Sequence, residues 1–405
     1  MHTPHALNRR QFLRNASGSA VSLAVIKPGS VWSSQANSRI RLGLIGCGSR
    51  GVWIADLFQE HGGYEITALA DYFPERTLAA GEKFSIPAHR RFTGLSAFQK
   101  LLDSGTVDAV AIESPPYFHP LQAQAAVEAG VHVFLAKPIA VDVPGCNTVA
   151  ESAEKATQRN LVFLVDFQTR TDPFYREAVK RVHYGEIGQV VCAEAAYHDG
   201  PTWYKQSEYL KKQPVSAEDR LRAWGLDRLL SGDVITEQNI HALDVATWAL
   251  DAHPLHAVGS GGQYRKYGTC WDHFSVLYQF PDGVDLTFHS KQLGQGHADI
   301  LCRIYGSEGT LHTDYFGSVS IRGNLPYKGG EMVNLYRRGA ATNIADFHQA
   351  VLTGRCANTT VAPSVRSNLT TILGRMAAYR QTKVAWEEML SSAEKFEPDL
   401  SGLNP

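Results

Sequence analysis

Two clusters of side chains in this chain have the types and spacing needed to move a proton. The first is Lys137, which follows an apolar run at 131–135 and precedes Pro138. A lysine at the end of a buried strand is partly desolvated, so its ammonium becomes a stronger acid and can exchange protons. The second is the stretch 237–244, in which Glu237, His241 and Asp244 fall at i, i+4 and i+7. On one continuous helix that spacing gives a single polar stripe, an imidazole beside carboxylates, which is a general acid/base arrangement. Each cluster taken alone also has an ordinary reading, as a surface lysine at a strand end or as a solvated helix face. The six cysteines (Cys47, Cys146, Cys192, Cys270, Cys302, Cys356) include no C-x-x-C pair. Neither a zinc site nor a disulfide framework is expected from them, and no metal is called for.

The elements that must position these groups begin at residue 39. A short apolar run, 39–45, leads into Gly46-Cys47-Gly48-Ser49-Arg50-Gly51, a G-x-G-x-x-G. A helical pattern follows, and a second strand at 64–70 ends in Asp71, 20 residues past Gly51. In this order the pieces predict a dinucleotide site. Gly46 makes the tight turn, Gly48 lets the backbone approach a pyrophosphate, and Gly51 lets helix and strand pack closely. Free N–H groups at the helix start, over Ser49 and Arg50, face the anion. Asp71 accepts from a ribose diol and repels a 2′-phosphate, so NAD is favoured over NADP.

Strand and helix patterns alternate to residue 166, which predicts a doubly wound parallel sheet. Ligands of such sheets sit beyond the C-terminal strand ends, so the loops at 46–51, 71, 114–116, 137–138 and 167–170 are the candidate site. After about 170 the texture changes to alternating strands with turn signals at Pro281-Asp282-Gly283 and at 306–309. A helix is expected at 238–249 and two more at 344–352 and 365–388. The fold class is therefore α/β, an N-terminal Rossmann domain at 37–166 followed by an α+β domain at 167–405 with a large, mostly antiparallel open sheet. Residues 200–236 read as a long irregular insert. Its Trp203, Tyr204 and Trp224 offer faces for sugar C–H surfaces, although packing at a domain interface explains aromatic residues equally well.

The chain has 405 residues with 39 basic and 40 acidic side chains, a net charge of −1. No long basic run is present, so a nucleic-acid partner is not expected. Residues 1–36 contain Arg9 and Arg10, an apolar pair, and a mild small-residue stretch too short to span a bilayer. They look like a twin-arginine export signal, which places the protein in the periplasm or otherwise outside the cytoplasm, with no integral span.

From 39 to 390 the order of motifs resembles the glucose–fructose oxidoreductase, inositol dehydrogenase and rhizopine-catabolism family (Gfo/Idh/MocA). The chain departs from the family pattern at two points. The usual Glu-Lys-Pro is here Ala136-Lys137-Pro138, and the usual Asp four residues before the histidine is Glu237. The resemblance implies that Ser114, Pro115, His119, Gln168 and Arg170 lie around the cofactor, that Asp244 is structural, and that subunits pair as dimers or tetramers. It further implies hydride transfer from a sugar or polyol CH–OH to NAD, with His241 and Lys137 handling the hydroxyl proton and Glu237 orienting the histidine or a neighbouring hydroxyl. An exported member has no NAD pool to draw on, so its cofactor must stay bound and be restored in each cycle. Paired oxidation and reduction of two substrates satisfies this condition. So does redox-neutral glycoside hydrolysis, in which one sugar carbon is transiently oxidised. A carbohydrate sensor that merely retains NAD is a third reading, disfavoured by the presence of both Lys137 and His241.

Overall fold

The computed structural model describes residues 39–392 and 394–405. The expected export signal lies outside them. Residues 39–405 form one compact unit built around two sheets.

The first sheet has six parallel strands, β1 (Ile40–Ile45), β2 (Tyr64–Asp71), β3 (Arg91–Thr93), β4 (Ala109–Ile112), β5 (His132–Ala136) and β6 (Phe163–Asp166), in the order β3-β2-β1-β4-β5-β6. The order reverses between β1 and β4, the place where open α/β sheets bind their ligands. β4 and β5 are buried on both faces, which is why they read as unbroken apolar runs. The helix Ser49–His61 starts at Gly48 with no side-chain cap and ends at Gly62 in a left-handed turn. Gly46 has φ +96°, a backbone region that favours glycine.

The second sheet has nine strands: β7 (Val190–Asp199), β8 (His256–Gly262), β9 (His273–Gln279), β10 (Asp285–Gln292), β11 (Asp299–Gly306), β12 (Gly309–Asp314), β13 (Ser318–Gly323), β14 (Tyr327–Glu331) and β15 (Val384–Ala385). Their order is β14-β13-β12-β11-β7-β10-β9-β8-β15, and only β7 and β10 pair in parallel. The turns expected at 281–283 and 306–309 do join antiparallel neighbours. Alternation buries Ala193, Ala195 and Tyr197 of β7 and turns His198 to the other face.

Three features differ from the sequence expectation. The helix expected at 238–249 is two pieces, Val234–Glu237 and Ile240–Leu250, broken at Gln238 and Asn239. Glu237 and His241 therefore do not share one helical stripe, and the stripe is not solvated: Glu237, His241 and Asp244 are all buried. The closing helices run longer or stop earlier, at Leu335–Thr353 and Val361–Arg380. The first of these returns to the parallel sheet, where Ala340, Ile344 and Phe347 join the core of Leu42, Leu44 and Phe58. The boundary at 166 is thus a boundary between sheets and not between two independent cores.

A Cβ on residue 51 would land on the Gly46 carbonyl oxygen, whereas one on residue 48 meets nothing nearer than the Arg76 guanidinium at 3.7 Å. Gly51→Ala is expected to destabilise the fold by about 1–3 kcal/mol or more in urea titrations. Gly48→Ala should leave stability within about 0.5 kcal/mol while weakening dinucleotide binding. Equal stability of the two variants would contradict the packing described.

Candidate active site

A cavity of about 470 Å³ opens along the C-terminal edge of the parallel sheet. Gly46, Gly48, Ser49, Arg50 and Gly51 line it together with Asp71, Ser114 and Pro115, so eight of the expected cofactor residues meet in one cleft. Asp71 is fixed from both sides: its carboxylate accepts from the Cys47 N–H at 2.7 Å and from the Phe73 N–H at 2.9 Å. Burial raises its pKa, and the Arg76 guanidinium opposes that rise. The remaining carboxylate lone pairs are free for a diol. Open space at Gly48 and an uncapped helix start fit a pyrophosphate, and Asp71 fits an unphosphorylated ribose. Arg76, a residue the sequence reading does not single out, also lines the cleft.

The other expected cofactor residues are supports rather than walls. The ring of His119 bridges the Pro138 carbonyl at 2.8 Å and the Ser114 carbonyl at 2.7 Å, tying the β4 loop to the β5 loop. Burial pushes its pKa down to about 4, and the two carbonyls, both acceptors, oppose that fall. Ser114 donates to Gln122 at 2.5 Å. Gln168 is fully buried and donates to Asp166 at 2.6 Å. Arg170 forms a bidentate pair with Asp244 at 2.8–3.1 Å and does not line the cleft. Ser367 adds a third donor to Asp244 at 2.6 Å, which gives that aspartate the structural role expected of it.

Lys137, Glu237 and His241 come together at the junction of the two sheets. The Lys137 ammonium donates to the Glu237 carbonyl at 2.7 Å and lies 3.6 Å from its carboxylate. Only 8% of the lysine side chain is exposed. Desolvation lowers its pKa, against the pull of Glu237 and with the help of Arg50. His241 is held well below the usual imidazole range, first by burial and then by the charges of Lys137 and Arg50. The burial and both cations favour the neutral ring. Its Nδ1 has no partner, and neither do Glu237 Oε2 or the side-chain oxygen and nitrogen of the buried Asn239. Buried polar atoms are normally paired. Glu237, Asn239 and His241 depart from that rule.

The structure also shows how the chain copes with Ala136. Ile112 pairs with Leu135, and Ala136 pairs with Asp166, so Glu113, Ala136 and Asp166 lie side by side at the sheet edge. The carboxylate missing from β5 has neighbours on both flanking strands. Arg50 links them, with Nε 2.9 Å from Glu113 and a terminal nitrogen 2.7 Å from Asp166, and it also donates to the Tyr336 hydroxyl. Asp166 takes a further bond from Asn343 at 2.7 Å. Glu113 is less well served: its contact with Arg50 lacks hydrogen-bond alignment and both of its oxygens are unpartnered. Desolvation raises its pKa to about 7 despite Arg50. Glu113 is not among the candidate residues taken from the sequence. An acid that ends an apolar strand at the ligand edge is the signal that could have found it.

Trp203 and Trp224 are not around Lys137. They line the other end of the cleft, with Asp71, Phe73 and Arg76. The 200–236 segment also reaches toward Glu237, because Gln292 donates to Thr202 at 3.5 Å and to Gln238 at 3.2 Å. Tyr204 is 54% exposed and lines no part of the cleft. Among the described residues, one group of side chains could share a cation: His198, His297 and Asp299, whose ligand atoms lie within 4.8 Å of one another. It stands on the face of the second sheet turned away from the buried core, apart from the site.

Residues 40–164 match the family profile described as oxidoreductase family, NAD-binding Rossmann fold, and residues 175–312 match the GFO/IDH/MocA C-terminal domain. Inositol 2-dehydrogenase 3 of Saccharopolyspora erythraea is 34% identical over 275 residues, covering 67% of this chain and 72% of that protein. A glycosyl hydrolase family 109 protein of Shewanella pealeana is 29% identical over 219 residues, 49% of this chain and 47% of that protein. The structure of scyllo-inositol dehydrogenase from Lactobacillus casei, with bound NAD(H) and scyllo-inositol, shares the fold at TM-score 0.68 and 18% identity, over 86% of this chain and 100% of that one. A parallel sheet with a dinucleotide cleft, joined to a domain with an open, mostly antiparallel sheet, is the architecture of NAD-dependent oxidoreductases of this type. The chain belongs to the Gfo/Idh/MocA family of that class.

The raised pKa of Glu113 gives the folded protein extra proton affinity between the unfolded value near 4.5 and about 7. Stability contributed by this group is therefore highest below that window and falls as pH rises through it. Glu113→Gln removes the ionisation, so it is expected to raise the melting temperature at pH 8 and to have no effect below about pH 5 (the reference carboxyl range). A stabilisation of the same size at both pH values would contradict the burial of an ionised Glu113.

Proposed function

We propose that the protein oxidises a CH–OH group of a sugar or polyol, with NAD held in the cleft and the reacting carbon placed among Lys137, Glu237 and His241. The observation that carries this reading is the nearly buried Lys137, bonded to the Glu237 carbonyl at 2.7 Å, with unpartnered polar atoms on Glu237 and His241. When bound, NAD supplies the hydride acceptor. The neutral His241 ring takes the hydroxyl proton, and the Lys137 ammonium stabilises the oxygen as it becomes a carbonyl. Glu237 anchors the lysine through its backbone carbonyl and leaves one carboxylate oxygen open to a neighbouring hydroxyl. The buried junction excludes water from the reacting carbon.

A second reading, redox-neutral glycoside hydrolysis, is favoured by the likeness to a glycosyl hydrolase family 109 protein over about half of the chain. The same lysine and histidine would serve it, because it begins with the same oxidation. Free sugar converted to ketone or lactone supports the first reading. An aglycone released with no net reduction of NAD supports the second. Export by the twin-arginine route is proposed on Arg9 and Arg10 and the small-residue stretch after them. Subunit pairing is proposed through the open face of the second sheet, where Val258 and Leu277 are exposed.

Lys137→Ala is expected to lower the rate of hydride transfer by about 10²–10⁴-fold, as followed by nicotinamide absorbance in single turnovers. NAD binding should persist, because Lys137 does not line the cleft. Undiminished turnover in this variant would sink the assignment.

A further inference from the structure

One row of the second sheet gathers titratable groups that the proposed reaction does not use. Across β9, β10, β7 and β11, the residues His273, Lys291, His198 and Asp299 stand side by side. Alternation turns them to the open face, opposite to the buried Phe274, Ser290, Tyr197 and Ile300. His198 and Asp299 are direct partners in the ladder, and the His198 Nδ1 lies 2.6 Å from one Asp299 oxygen. The other Asp299 oxygen lies 3.1 Å from the Nε2 of His297, in the loop that joins β10 to β11. On the far side of the His198 ring, Nε2 lies 2.7 Å from the Nδ1 of His289, on β10.

This arrangement differs from an ordinary ion pair. Asp299 has an imidazole on each oxygen, and among the described residues no lysine or arginine pairs with it. Lys291, opposite His198, instead bonds to the Asp199 and Leu293 carbonyls at 3.3 and 3.4 Å. The donor atoms of His198, His297 and Asp299 converge within 4.8 Å of one another. Two imidazole nitrogens and one carboxylate oxygen suit zinc and neighbouring transition ions, whereas magnesium and calcium take oxygen donors. A histidine that binds metal through one nitrogen donates through the other to a fixed acceptor. His289 supplies that acceptor: with Nδ1 on a cation, His198 donates from Nε2 to the His289 Nδ1. Two ligands stand on rigid paired strands with side chains 19% and 20% exposed, and the third, 73% exposed, can close over the ion without disturbing the sheet.

We propose that His198, His297 and Asp299 bind one divalent transition cation of the zinc class, with His289 as the positioning residue behind His198 and water at the open coordination position. Binding displaces the proton that His198 and Asp299 share and pins the β10–β11 loop to β7. The site is structural and does not depend on the reading of the cleft. It also lies beyond the row of Glu194, Thr287, Leu277 and Val258, so it is separate from the apolar patch proposed for subunit pairing.

The test uses the untagged full chain, stripped with a chelator and titrated with Zn²⁺ in equilibrium dialysis. One zinc per chain is expected. The melting temperature should climb with zinc concentration, as binding to the folded state requires, and Mg²⁺ at the same concentrations should not move it. His289→Ala should weaken zinc binding by about 10- to 100-fold, the range for an outer-shell partner, and His289→Gln, which keeps an acceptor, should recover most of the loss. His198→Ala, Asp299→Asn and His297→Ala should each weaken binding further. His297 is on an exposed loop, so its variant spares the sheet, and the readout in every variant is the shift that zinc itself produces. Cys192→Ser should bind as the wild type does, which separates the site from the exposed thiol. No saturable zinc binding by the wild type, or undiminished binding in His198→Ala and His297→Ala, refutes the site. An equal response to Zn²⁺ and Mg²⁺ refutes the class of ion, and a silent His289→Ala removes the positioning role.

Discussion

One guanidinium holds this site together. Arg50 leaves the glycine turn and meets Glu113 at the end of β4, Asp166 at the end of β6 and Tyr336 on the returning helix Leu335–Thr353. Burying two carboxylates at neighbouring strand ends is costly unless a cation lies between them. The turn that contacts the dinucleotide, the sheet edge beside Lys137 and a helix from the end of the chain are therefore positioned by one electrostatic requirement. Asn343 and Gln168 complete the hydrogen bonds of Asp166, which leaves Glu113 as the partner with unmet capacity.

That arrangement sets the charges around the reacting carbon. Arg50 adds to the desolvation that weakens Lys137 as a base, and both cations keep His241 neutral. A neutral imidazole beside an ammonium is a matched acceptor and stabiliser. The first can take a proton without first losing one, and the second keeps its charge because Glu237 supplies a carbonyl at 2.7 Å. The same field reaches Glu113, whose proton affinity is tuned to near neutrality by burial opposed by Arg50. The loss of an acid at Ala136 thus leaves no gap in charge at the edge, since both flanking strands end in one.

Much of this was legible along the chain. The glycine turn with Asp71 at 20 residues' distance, the parallel sheet and the switch to antiparallel strands after about 170 all rest on short-range patterns, because turn geometry and the period of burial are local properties. Other points were not legible. The break at Gln238 and Asn239 cannot be seen in the 237–244 spacing, since a helical period survives a kink. Arg170 and Asp244 are two plausible polar site residues in the sequence and one structural ion pair in the fold. Trp203 and Trp224 were read for their chemistry, as aromatic surfaces that stack on a ligand, but their address depended on where a long irregular segment folds back.

By itself, then, the amino-acid order determined the class of protein: a nucleotide-binding α/β domain with an open sheet after it, and a lysine and a histidine as candidates for the proton-handling pair. These follow from glycine's conformational freedom, from the alternation of apolar residues and from the few side chains able to carry a proton. Tertiary structure alone decided which acids stand beside Lys137, which residues merely brace the loops, that Trp203 and Trp224 line the cleft with Asp71, and that residue 404 bonds to Tyr72. Those contacts join residues separated by 100 positions in the case of Lys137 and Glu237 and by 332 in the case of Tyr72 and Asn404. No local propensity encodes them, because they arise only when separate elements compete to bury the same surface and satisfy the same charges.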